Sequence, residues 1–204
     1  MAKPMSNQPG SAMHVHMSIV ATETGRNIFS DDDGKPTPAF FHFIGGQQRH
    51  FPAAMALAAP YVNSYRRLVS YQSAPVNLEW GTDNRSVGIR APKSGPAARR
   101  VENRVIGSDA NPYLAIAGAL ACGWLGMEEK IEPRPEATGD AYVMSRDLPE
   151  SQLDSVLELE GDPALRAVLG EEFVRIFCAV KRAEHAEFMR VISPWEREHL
   201  LLNV

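Results

Sequence analysis

The stretch "NPYLAIAGALACGWLGMEEKI", residues 111–131, constrains the fold more than any other. Asn111 suits a helix N-cap and Pro112 the first turn, and small or apolar residues then cover nearly the whole circumference. Such a helix has no solvent face, so it belongs between other layers of structure.

The flanks indicate what those layers are. After "PRPEATGDAYVMSRDLP", a long connecting loop, the remaining sequence reads as three or four amphipathic helices. They break at Gly161–Pro163, near Gly170 and at Pro194. On the other side, residues 1–10 form an extended entry, 11–20 a strand, and 22–38 a polar, turn-rich segment containing "DDDG". Phe40, Phe43, Ile44, Gln47, Phe51 and Met55 have helical spacing, which Gly45, Gly46 and Pro52 weaken. Residues 61–104 alternate short strand-like runs with loops and hold seven of the sixteen arginines. The order predicts an α+β fold: a strand-and-loop part over 1–110 carrying polar chemistry, and a mainly helical part over 111–204.

With 204 residues, 44% of them hydrophobic, the chain can bury one full core. The net charge of −4 argues against a general nucleic-acid binder. No apolar run approaches the roughly 18 residues needed to cross a bilayer, and "MAKPMSNQPG" lacks a signal-peptide core. Cys122 and Cys178 form no CxxC pair and read as buried thiols in a reducing compartment. A cytoplasmic protein is expected, with neither nucleic acid nor membrane as partner.

Three clusters could carry chemistry. In "PGSAMHVHMSIV" strict alternation places His14, His16 and Ser18 on one strand face and Met13, Val15, Met17 and Ile19 on the other. Alternating imidazoles can ligate a metal, and they also fit a solvated strand face. In "NRSVGIRAP", Arg85 and Arg90 bracket a short strand-like run. Two guanidinium forks there could clamp an anion or simply line an edge strand. In "ARRVENRV", Arg100, Glu102 and Arg104 share one face, either as an ion-pair ladder or as a metal ligand beside an anion site. Together they are the parts for holding a divalent metal and phosphate, as phosphoryl transfer requires. No GxxxxGK[ST] loop or kinase signature is present.

"GSAMHVHMS", "VNSYRRL", "DNRSVGIRAP", "RRVENRV" and "DANPYLAIAGALACG" together resemble the glutamine synthetase catalytic domain, in order and spacing over ~100 residues. The resemblance continues almost to "EREHLLLNV". It implies an antiparallel sheet with flanking helices. It also implies ATP as co-substrate, Mg²⁺ or Mn²⁺, and condensation of glutamate with ammonia or an amine through γ-glutamyl phosphate. By the same resemblance His14 and Glu102 are metal ligands, and Gly10, Arg67 and Arg104 line the glutamate site. His16, Ser18, Arg85, Arg90 and Arg100 lie on the nucleotide side, with Arg85 and Arg104 acting on the transferring group. Pro9 and Ala12 depart from the family pattern, where Asn and Gly are frequent.

By the same resemblance the flap glutamate of glutamine-forming members falls at Ser73 in "LVSYQSAP", which implies loss of the partner for ammonium and room for a larger amine. "VNSYRRL", "WGTDNRSV" and "RVENRVIGSDANPYL" resemble the γ-glutamylputrescine and polyamine synthetase branch. Arg146 occupies the position of the tyrosine that some bacterial members adenylylate. Family members are roughly twice this length, with an N-terminal β-grasp domain and early strands that carry most metal-binding carboxylates. The chain therefore reads as the C-terminal part of a catalytic domain, inactive alone and belonging to a dodecamer of stacked hexamers. Two alternatives stay open: a glutamine synthetase proper using ammonia, and a non-catalytic remnant that binds nucleotide or pairs with a longer relative.

Overall fold

The structure, a computed structural model, describes residues 1–144 and 146–202. Ser145 in the predicted connecting loop, and Asn203 and Val204 at the end of the family resemblance, lie outside the described residues. The elements are β1 (Val15–Met17), α1 (Pro38–Ala58), α2 (Val62–Tyr65), β2 (Trp80–Thr82), β3 (Ile89–Ala91), β4 (Val101–Asn103), α3 (Pro112–Glu128), α4 (Gln152–Gly161), α5 (Pro163–Leu169), α6 (Glu171–Phe188) and α7 (Pro194–Leu200). Short 3₁₀ turns occupy Pro96–Ala98 and Ala141–Val143.

The α+β expectation is met by a small sheet of order β1-β4-β3-β2 that shares one buried core with the helices behind it. The sheet is mixed, not purely antiparallel: β1–β4 and β3–β4 are antiparallel and β2–β3 parallel. The strand expected over 11–20 also shrinks to Val15–Met17. Its partner β4 supplies only Val101–Asn103 as a ladder, and the flanks make isolated bridges, Ala12 to Gly107 and Val20 to Asn27. Alternation holds where pairing exists: Val15 and Met17 are buried and His16 is exposed.

Behind the sheet, α1 runs unbroken through Gly45, Gly46 and Pro52, contrary to the local signals. Tertiary packing explains the glycines. A Cβ on Gly46 would lie 2.1 Å from the Cys122 carbonyl oxygen and 2.6 Å from Gly126 Cα, and one on Gly126 would lie 2.2 Å from the His42 carbonyl oxygen. The two helices touch backbone to backbone, which only glycine permits. Gln47, fully buried, ties three elements together: it donates to the Ala119 carbonyl on α3 and accepts from Asn103 Nδ2 on β4 at 3.0 Å. The α3 helix is correctly placed, and its Asn111 cap accepts from the Tyr113 amide. Its all-round burial is not observed, because one face is open to solvent.

The four C-terminal helices break at the expected residues, and each break has a local cause. The Ser151 and Asp162 side chains cap α4 and α5, Gly170 adopts φ 97° before α6, and Ser193 and Glu196 form a capping box on α7. Asp162 has a second task. Its Oδ2 lies 2.7 Å from Nδ1 of His50, a buried residue of α1, and so pins the α4–α5 joint to the core. Burial favours the neutral carboxyl, but the His50 and Leu165 hydrogen bonds outweigh it and hold Asp162 below its ordinary 3.8. A folded-state value below the unfolded one stabilises above pH 3.8 and is lost as pH falls through the folded value. An Asp162→Ala chain should lose about 2 kcal/mol in urea unfolding at pH 7. The difference from wild type should close as both are acidified. A gap unchanged down to pH 2 would assign the loss to something other than this carboxylate.

Candidate active site

The polar face of the sheet assembles the predicted residues by register alone. His16 on β1 sits opposite Glu102 on β4, and Arg90 on β3 sits opposite Glu102 on the other side. Cross-strand neighbours on one face lie within side-chain reach, so a row His16–Glu102–Arg90 follows from the pairing. His14 and Arg104 join at its end.

Glu102 is the hub and is almost fully buried. Its Oε1 accepts from Arg104 Nη1 at 3.1 Å and lies 3.0 Å from His14 Nδ1 and 3.9 Å from His16 Nε2. Its Oε2 accepts from Arg90 Nη1 at 2.8 Å. Burial pushes the carboxyl pKa up, but the Arg90 hydrogen bond and the charges of Arg104 and Arg90 prevail and hold it below the usual glutamate value. Burial and then the charge of Arg104 push the His14 imidazole below its ordinary 6.5. Near neutral pH the centre is thus an ionised carboxylate beside a neutral imidazole, enclosed by guanidiniums.

The remaining candidates lie at graded distances from this hub. Arg100 Nε donates to His16 Nδ1 at 3.1 Å, so "ARRVENRV" does present Arg100, Glu102 and Arg104 to one face. Ser18 follows β1 and faces solvent. Arg67 packs against Gly10, where a Cβ would come within 2.4 Å of Arg67 Cγ. The Arg67 guanidinium is buried, donates to the Val105 carbonyl, and is lowered by burial to about 10, with Asp109 opposing; it stays cationic at neutral pH, and its charge reaches His14. Arg85 is the exception. Its backbone carbonyl accepts from Arg104 Nη2 at 3.2 Å, while its own side chain is exposed and makes no hydrogen bond or ion pair among the described residues.

Two acidic residues escaped the sequence reading. Asp83 accepts from Arg90 Nη2 at 2.8 Å and from the Lys93 amide at 3.1 Å, fixing the far end of Arg90. Asp109 accepts from Ser64 Oγ and from the Ala2 amide, both at 3.0 Å. Each is a lone acid in a turn; the only local sign is "TDN", where Asp83 takes φ 52°, a conformation Asp tolerates.

His14 and Glu102 suit a divalent cation in kind, offering one neutral nitrogen and one ionised oxygen donor that converge within 3.0 Å. Among the described residues no group of three or more His, Cys, Asp or Glu side chains is placed to hold a metal. A hard cation takes about six ligands, so these two are part of a shell. The surrounding arginines hold donors in reserve: Nε of Arg67, Arg90 and Arg104 is buried and unpartnered.

A sheet face with a buried carboxylate, an imidazole and several guanidiniums, backed by a helical layer, gathers donors of the kinds that suit an anion and a divalent cation. The chain belongs to the glutamine synthetase family: residues 1–200 match the model of the glutamine synthetase catalytic domain. This is a family of ligases. The glutamine synthetase of Halobacterium salinarum is 36% identical over 212 residues, covering 98% of this chain and 46% of that protein. The gamma-glutamylputrescine synthetase PuuA of Escherichia coli is 36% identical over 204 residues, covering 100% of this chain and 43% of that protein. Among solved structures, "Apo GmaS without ligand" superposes with a TM-score of 0.86 at 33% identity, over 99% of this chain and 47% of that one. "GmaS/ADP complex-Conformation 1" gives 0.87 at 34% identity, covering 98% and 48%. The chain thus spans less than half the length of these relatives. No helix among the described residues is long and apolar enough to cross a membrane.

Proposed function

We propose that this chain is the C-terminal part of the catalytic domain of an ATP-dependent ligase that joins an amine to the side-chain carboxylate of glutamate through γ-glutamyl phosphate. The observation that carries the reading is the buried, ionised Glu102 held by Arg90 and Arg104 beside a neutral His14. His14 and Glu102 would hold Mg²⁺ or Mn²⁺, which when bound supplies charge neutralisation at the transferring phosphoryl group.

The chain's own residues do the rest. Arg104 and Arg67, beside Gly10, orient the glutamate carboxylate or the acyl phosphate. Arg90, fixed by Asp83 and Glu102, offers a pre-aimed guanidinium to the ATP phosphates as charge develops. Arg85, exposed on its loop, is free to fold over the nucleotide. His16, Ser18 and Arg100 line the nucleotide side. Residues 1–110 then carry the site and 111–204 its helical support. The β-grasp domain and the remaining carboxylate ligands come from the part of the relatives that this chain does not span. The complete protein is a cytoplasmic homo-oligomer of stacked hexameric rings.

Ser73 supports an amine such as putrescine over ammonia. It is exposed, at φ 68°, and brings no carboxylate to hold ammonium. PuuA and several glutamine synthetases are similarly related to the chain, so the amine reading rests on Ser73 and the motifs. The test is ADP release by a protein joining this chain to the complementary part of PuuA, with putrescine, spermidine or ammonia as acceptor. Primary amines should be preferred by at least about tenfold in kcat/KM, and Ser73→Glu should move the preference toward ammonia. Efficient glutamine formation with no response to primary amines would sink the amine reading.

A further inference from the structure

We infer that the cavity where the C-terminal ends of α3 and α4 meet α1 is a binding site for a linear aliphatic di- or polyamine. None of its lining residues belongs to the sheet face described above, and the site does not depend on the ligase reading. Its volume is about 520 Å³. Among the described residues it is lined by three carboxylates, Glu129, Glu158 and Asp162, against one guanidinium, Arg49. Glu129 ends α3 and Asp162 ends α4, so the terminal carbonyls of two helices add to the negative potential. The start of α5 opposes them, but Asp162 already caps it. The balance favours a cation.

His50 is the residue that points to a ligand. It is 5% exposed and lines the cavity, and its two ring nitrogens are unequally served. Nδ1 lies 2.7 Å from Asp162 Oδ2, and an ionised carboxylate only accepts, so Nδ1 carries the proton. In the neutral ring Nε2 is then an acceptor. It is buried without a hydrogen-bond partner, and Glu129 Oε2, 4.0 Å away, is an acceptor too. Two such acceptors need a donor between them. An ammonium with hydrogen bonds of about 2.9 Å bridges acceptors about 4 to 5 Å apart, and the half-exposed Glu129 side chain can swing to admit it. A tetrahedral metal ion fits less well, because bonds of about 2.05 Å set its ligands about 3.4 Å apart. Nor do the described residues place three such ligands together. Glu158 is exposed, and its side chain makes no hydrogen bond or ion pair among the described residues, so it can take a second ammonium. Leu157 and Ala164 give the methylenes between the two charges an apolar wall.

The test follows heat unfolding of the 204-residue chain with 1,4-diaminobutane or spermidine, beside Mg²⁺, Zn²⁺ and NaCl at matched ionic strength. Nitrogen-15 spectra of the histidine rings follow Nε2 of His50, whose signal is assigned with His50→Gln. The amines should bind saturably and raise the melting temperature by about 5 °C at a hundredfold excess over Kd, and the His50 Nε2 signal should move. Glu129→Gln together with Glu158→Gln should weaken binding about tenfold. Both side chains are exposed, so the ligand-free melting temperature of the double variant should match wild type. An equal amine effect in the double variant, or an unmoved Nε2 signal, puts the amine elsewhere and overturns the site. A response to Zn²⁺ or Mg²⁺ that the amines do not give makes the ligand a metal ion and overturns the amine assignment. No response to any of them overturns the inference outright. The ligase reading stands in each case, because Glu102 and its arginines are untouched.

Discussion

Glu102→Ala is expected to lower the stability of the 204-residue chain by about 3 kcal/mol, and to cut turnover of the completed ligase at least about 100-fold. The stability loss comes from what stays behind. Arg90 and Arg104 are mostly buried and both donate to this one carboxylate, with His14 and the charge of Arg67 close by. Removing the anion strands cations in a poorly hydrated site, which costs more than the pair itself contributes. Glu102→Gln keeps an acceptor of the same shape, so it should recover part of the stability and none of the turnover. Urea unfolding of the three chains, with ADP release by the joined proteins, separates the two effects. Wild-type stability in the alanine chain would mean that the guanidiniums find solvent on their own and that the hub is not buried as described.

Gly46→Ala is expected to cost about 3 kcal/mol although alanine is the better helix former by about 1 kcal/mol. The new Cβ would sit 2.1 Å from the Cys122 carbonyl oxygen and within 2.7 Å of Gly126 backbone atoms. Backbone cannot rotate away as a side chain can, so α1 and α3 must separate, which opens the most extensive helix contact among the described residues. Gly161 at the end of α4 is the control. Nothing lies within 4 Å of a Cβ there, and Gly161→Ala should be neutral or slightly stabilising. Equal midpoints for the two variants in denaturant would refute close contact at Gly46.

The same glycines show why part of the fold escaped the sequence. Gly45 and Gly46 look like breakers of α1 when judged one at a time, and their reason lies far along the chain, at Ile131 and at Cys122 and Gly126, as with Gln47 and the Ala119 carbonyl. The C-terminal helices were legible because their stops are local: an Asp162 cap, a Gly170 with positive φ, a Ser193 capping box. The site was legible as a set of faces. Alternation separated His14 and His16 from Val15, but only the register showed that Glu102 lies between His16 and Arg90. Asp83 and Asp109 were invisible because a lone acid in a turn has no pattern. The expectation that α3 is buried all round is not met: one side faces solvent, because apolar composition alone does not say which faces of a helix find a partner.

The most direct test is ADP formation from ATP, glutamate, putrescine and Mg²⁺ by the purified 204-residue chain, beside the same chain joined to the complementary part of PuuA. Two candidate ligands are too few for a hard cation, so the chain alone should show no turnover above the blank, and the joined protein should turn over. Amide formation by the isolated chain would contradict the central claim that His14, Glu102 and their arginines are one half of a divided catalytic site.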